Sequence, residues 1–213
     1  MLESGQGKLP GPSAVNPRLL RTLLLATAAF LAALLGARAL MPDRPASPVL
    51  ERAVWLPDGS PLPELAFFDE SGAPFDVRRL LGRWTYVFFG FASCPDICPT
   101  TLATLASVRS SLRDLPTELQ PEVLLVTVDP SRDDATRLAP YVRHFDPAFH
   151  AVTGNEASLA RLASALGAAY ARVPLAGGGY TMDHTSSLFL IGPDGRLVAT
   201  SGTPHDAEVI ARD

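Results

Sequence analysis

Hydrophobic and polar positions along this chain change period several times, and each change marks an element. From Thr22 to Ala37 the chain is uncharged and mostly Leu and Ala. Apolar on all sides, the run suits lipid better than the one-sided stripe of a core helix. With Arg38 snorkelling it extends through Met41, close to the roughly 20 residues a bilayer core requires. Beyond it the pattern breaks into prolines, at 42, 45, 48, 57, 61 and 63, which predicts an extended, semi-rigid segment or, in part, an arm wrapped on the following domain.

A second regime starts near Glu64, where short apolar runs alternate with helical periods. Leu65–Asp69 reads as a strand, Glu70–Ala73 as a turn, and Val77–Leu81 as one helical turn closed by Gly82. Trp84–Phe91 is near-continuously apolar, the character of a central parallel strand. A helix follows, with Leu102, Leu105, Val108 and Leu112 on one face and Pro99 expected as its first residue. Val123–Val128 is a second central strand, ending in a capping loop from Asp129 to Asp134. Ala135–Phe145 reads as a helix containing Pro140, Phe149–Val152 as a short strand, and Asn155–Gly167 as a helix closed by its glycine. After a loop carrying Gly177–Gly179, Ser187–Ile191 and Arg196–Thr200 pair across Gly192–Gly195, a hairpin signal. Strands alternating with helices and finishing in a hairpin imply an α/β sandwich with a mixed sheet.

These patterns divide the chain into a disordered N-terminus (1–17), a membrane anchor (18–41), a Pro-rich linker (42–63) and one folded domain (64–213). The 213 residues are 47% hydrophobic, enough for one good-sized core. Lys8, Arg18 and Arg21 before the apolar run place the N-terminus in the cytoplasm and the folded domain across the membrane. Ala37-Arg-Ala39 resembles a cleavage site, but the run is read as an uncleaved signal anchor. The expected location is the bacterial inner membrane, single-pass, with the domain in the periplasm. Net charge is −4 with no basic block past the first arginines, which excludes a nucleic-acid partner.

The chemistry concentrates where the Trp84–Phe91 strand runs into the only two cysteines, Cys94 and Cys98. A loop delivering thiols to a helix N-terminus favours thiolates. A structural disulfide is the competing reading of this C-x-x-x-C pair, although so short a loop would constrain the unfolded chain little. Of the four histidines, His144 and His150 are expected to make local contacts or face solvent, and His205 to cap a helix. His184 differs: a glycine-rich loop delivers it, beside Asp183, to the edge of an apolar strand. Two thiolates and an imidazole form a soft three-donor set matching copper better than structural zinc, which wants four closed ligands. Asp129 or Asp183 would orient the imidazole from outside that set; capping and turn formation compete as their roles.

Gly90-Phe-Ala-Ser-Cys-Pro-Asp-Ile-Cys-Pro99, Val128-Asp-Pro-Ser-Arg-Asp133 and Tyr180-Thr-Met-Asp-His184 resemble, in order, the three signatures of the Sco/SenC family. The resemblance runs from about Leu62 to the C-terminus; Ala92 and Ser93 are minor departures. It implies a thioredoxin-like fold behind a membrane anchor, and copper held by Cys94, Cys98 and His184. It also implies delivery of copper to, or reduction of the cysteines of, the binuclear copper site of cytochrome c oxidase subunit II or a similar acceptor. A thiol–disulfide oxidoreductase acting through Cys94 and Cys98 is the alternative. Either function needs a thiol reductant as partner, because only the reduced pair binds metal.

Overall fold

The computed structural model describes residues 17–40 and 48–213, in two units that are taken separately. The expected disorder of the N-terminus, Lys8, the end of the expected anchor at Met41 and linker residues 42–47 lie outside the described residues. In the first unit, α1 (Pro17–Leu40) is a helix of 24 residues, about 36 Å at 1.5 Å per residue. Its Arg18–Arg38 window is apolar enough to cross a membrane, and none of it is buried.

The second unit carries an eight-stranded mixed sheet. Its strands are β1 (Val54–Pro61), β2 (Phe67–Asp69), β3 (Pro74–Phe75), β4 (Thr85–Gly90), β5 (Glu122–Thr127), β6 (His150–Gly154), β9 (Leu188–Ile191) and β10 (Arg196–Ser201). They lie in the order β1-β10-β9-β4-β5-β6-β2-β3. β4, β5 and β6 are parallel neighbours. Their crossovers carry α2 (Ile97–Ser111) and α3 (Ala135–Arg143), while α4 (Glu156–Leu166) and α5 (Ala207–Arg212) follow β6 and β10. The core contains Val87, Phe88 and Phe89 of β4, Val123 to Val126 of β5, and Leu102, Leu105 and Val108 of α2. These strands are buried on both faces, and the near-continuous apolar runs in the sequence follow from that.

The helix ends obey local chemistry. Asp134 accepts a hydrogen bond from Arg137 N–H at the start of α3, Asn155 does the same for Ser158 in α4, and Gly167 closes α4 in the left-handed region at φ 72°. His205 does not cap: Asp206 caps α5, and His205 Nε2 lies 2.8 Å from the Ser186 carbonyl.

The sheet takes in part of the Pro-rich segment. Residues 54–61 form edge strand β1 against β10, with a bulge between Trp55 and Ser60. Prolines are tolerated there because an outer strand leaves some N–H positions unpaired, and the bulge absorbs the irregularity. α2 begins at Ile97, earlier than expected. Pro99 sits in its first turn, where a missing N–H costs nothing, so Cys98 is inside the helix. The glycine-rich loop is the turn of a separate hairpin, β7 (Tyr170–Pro174) with β8 (Tyr180–His184), forming its own two-stranded sheet.

Candidate metal centre

Three elements meet at the carboxyl end of β4. β9 runs antiparallel beside β4, with Phe88 opposite Leu188. The N-terminal end of β9, and with it the preceding His184, therefore lies where β4 hands over to the cysteine loop. Among the described residues, Cys94, Cys98 and His184 form the only cluster of His, Cys, Asp and Glu with metal-ligand geometry, their donor atoms all within 4.8 Å of one another.

Cys94 N–H donates to the Phe91 carbonyl at 3.1 Å, turning the chain as it leaves the strand. Both cysteines are free thiols; Cys94 is half-buried and Cys98 fully buried. Cys98 N–H, in the first turn of α2, points at Cys94 Sγ at 3.4 Å. Cys98 Sγ is 3.5 Å from His184 Nε2. The imidazole stands edge-on to Phe88 and Phe91, each centroid 5.9 Å away. Its Nδ1 lies 3.1 Å from the Thr185 carbonyl. Assigning that contact as Nδ1–H donating leaves the Nε2 lone pair facing the sulfurs, the state a metal ligand needs.

The two thiols are electrostatically unequal. Cys98 shares its proton with Cys94; together with the backbone N–H groups at the start of α2, and against burial, this lowers the Cys94 pKa to about 4. The same contact and burial push the Cys98 thiol far up. Cys94 is thus the resident thiolate, and a metal would displace the proton Cys98 retains.

Neither predicted orienting carboxylate touches the ring, because the Thr185 carbonyl takes that place. Asp183 precedes His184 on β8, where successive side chains face opposite sides, and it is exposed. Asp129 is buried, accepting from the Tyr180 hydroxyl at 2.9 Å and from Arg132. His144 packs on Phe145 and His150 on Glu70, both away from the cluster.

One residue of the site's frame has no role of its own in the sequence reading, where it only closes a capping loop and the second signature. Asp133 is fully buried, and its Oδ2 accepts from Ala92 N–H at 2.9 Å and the Thr127 hydroxyl at 2.7 Å. It therefore ties the start of the cysteine loop to β5. Burial raises its pKa despite these bonds. The signal was in the sequence, in a second aspartate four residues after Asp129 within the same motif.

The SCO1/SenC family model matches residues 62–213. A putative copper-binding protein of Stutzerimonas stutzeri is 40% identical over 144 residues, 67% of this chain and 69% of its own. The mitochondrial SCO2 homolog of Mus musculus is 33% identical over 216 residues, 97% of this chain and 80% of its own. Among solved structures, copper-bound ScoI of Bradyrhizobium japonicum superposes with a TM-score of 0.64 at 30% identity, covering 72% of this chain and 97% of that one. Copper-bound ScoI of Arabidopsis thaliana gives 0.66 at 26% identity, covering 70% and 92%. The mixed sheet has the thioredoxin-like architecture of these neighbours, and the chain belongs to the SCO1/SenC family.

Proposed function

We propose that this protein is a copper metallochaperone: Cys94 Sγ, Cys98 Sγ and His184 Nε2 take up copper, and the ion then passes to an acceptor protein. The carrying observation is the convergence of these three donors within 4.8 Å. Two sulfurs and an imidazole are the soft set that selects copper, and a set of three leaves the ion open to an acceptor's ligands. A cavity lined by Phe91, Pro95, Asp96, Ile97, Met182 and Asp183 reaches Cys94 and His184 from outside. By family, the acceptor is the binuclear copper site of cytochrome c oxidase subunit II. α1 anchors the domain to the bacterial inner membrane, with the sheet on the periplasmic side and a thiol reductant keeping the cysteines reduced.

The test is metal analysis of the reduced chain beside Cys94→Ser, Cys98→Ser and His184→Ala. Wild type should hold one copper and each variant should lose it at least tenfold faster to a chelator. Stoichiometric copper in all three variants would overturn the assignment.

A second reading is favoured by the thiol asymmetry. Cys94 thiolate would attack a partner disulfide, forming a mixed disulfide and expelling one partner thiolate. Cys98, once deprotonated, would attack Cys94 Sγ and expel the second, leaving the pair oxidised by two electrons. His184→Ala separates the readings: copper retention falls under the first, while exchange with a small disulfide is largely spared.

A further inference from the structure

His184 sits at the end of a hairpin that is not part of the main sheet: β8 pairs only with β7. What holds this hairpin against the body therefore decides where the imidazole lies. Four side chains attach it to its surroundings. Tyr170 donates to Glu156 at 2.6 Å, Arg172 reaches Ser131 at 3.4 Å, and the Tyr180 hydroxyl donates to Asp129 at 2.9 Å. The fourth is Arg132, which is engaged on three sides at once. Its Nε pairs with buried Asp129, its Nη1 donates to the Tyr180 carbonyl at 3.1 Å, and its guanidinium lies 3.9 Å from the Tyr180 ring centroid. Arg172 stacks on that ring as well, at 4.1 Å. The guanidinium is also 6.0 Å from the centroid of Phe91, the residue that meets His184 edge-on.

We propose that Arg132 is a positioning residue for copper: it latches the His184-bearing hairpin onto the loop after β5 and so sets the distance between imidazole and sulfurs. This rests on the copper reading above. Tyr180 and His184 are even-spaced on one strand and share a face, so a shift at the latch moves the imidazole with it. The planar fork suits this task, since one group must pair with a carboxylate, donate to a carbonyl and stack on a ring together. An ammonium cannot do all three. Cys94 and Cys98 lie on the other side of the joint, carried by β4 and α2, and their chemistry with each other does not pass through Arg132.

The test uses the full chain in detergent, reduced and loaded with one equivalent of copper. Wild type, Arg132→Ala, Arg132→Lys and His184→Ala are compared by the rate at which bicinchoninate strips Cu(I). The electron paramagnetic resonance spectrum of the Cu(II) form and the rate of reaction with a small aromatic disulfide are recorded beside it. For Arg132→Ala, stripping about tenfold or more faster, an altered Cu(II) spectrum and a disulfide rate within twofold of wild type are expected, with little rescue by lysine. Wild-type stripping and spectrum in Arg132→Ala, while His184→Ala loses copper, would overturn the latch alone. Retention of copper by His184→Ala would overturn the copper reading itself and the latch with it. Should Arg132→Ala not fold, Tyr180→Leu removes the stacked ring while keeping the Arg132–Asp129 pair; a wild-type stripping rate there counts against the latch equally.

Discussion

At the scale of single residues, environment makes identical side chains different. Cys94 and Cys98 share one proton, and the half-buried sulfur with helix N–H groups aimed at it holds the charge. Iodoacetamide should therefore label Cys94 and spare Cys98 in the folded, reduced chain. Because the Cys94 pKa is about 4, the labelling rate should be nearly flat from pH 6 to 8. Peptide mapping checks this; predominant labelling of Cys98 would contradict it. His150 and Glu70 give a second case, their side chains 3.1 Å apart. Glu70's hydrogen bond raises the His150 pKa above 6.5. Burial works against Glu70, but bonds from His150 and Ala151 lower it below 4.5. The histidine's contribution is full below its unfolded value and is lost as pH rises through its folded one. The glutamate's is full above its unfolded value and is lost as pH falls through its folded one. The pair thus stabilises most between 4.5 and 6.5. Relative to Glu70→Gln, wild type should gain about 1 kcal/mol more at pH 5.5 than at pH 8, solvent at the partly exposed histidine weakening the pair. Urea melts at the two pH values read this directly, and equal differences would dismiss the ion pair.

Among elements, the junction of β4 with α2 is packed so closely that any side chain at the last strand position must displace a neighbour. A Cβ on Gly90 would lie 3.0 Å from Leu125 Cδ1 and 3.1 Å from Cys98 Sγ. Phe88 Cε1 is as near, at 3.1 Å, so Gly90→Ala must push the sulfur, the leucine or the ring by a few tenths of an ångström, at a cost of about 1–3 kcal/mol. A lower thermal midpoint together with a changed copper spectrum is expected; an unchanged spectrum would mean that Leu125 or Phe88 gives way and the sulfur stays. The sequence could not announce this, since the glycine sits in an ordinary strand conformation and only the packed neighbours reveal the constraint. The helix caps are the opposite case. Asp134, Asn155 and Gly167 were legible because each acts on N–H or carbonyl groups a few residues away.

Across the folded unit, the ends of the chain segment clasp each other. The Asp213 carboxylate accepts from Glu51, Arg52 and Ala53 N–H groups at 2.6, 3.0 and 2.9 Å, joining positions up to 162 apart, and Arg212 pairs with Glu51. Asp213→Ala should cost about 1 kcal/mol or somewhat more and speed amide exchange at residues 51–53 ahead of the sheet. Exchange there at the wild-type rate would show the arm to be held by β1 alone.

What the sequence determined by itself was whatever rests on local period and local chemistry. The apolar helix, the buried central strands, the caps, the cysteine pair with its soft donors and the distant histidine were all readable, because burial on both faces and donor type are written residue by residue. The tertiary structure alone decided three things: that 54–61 joins the sheet, that His184 ends a separate hairpin, and that a backbone carbonyl rather than Asp129 or Asp183 orients its ring. Each depends on which remote segment lies alongside, and pairing between distant segments follows from the competition of all strands for neighbours, which no short window of residues records.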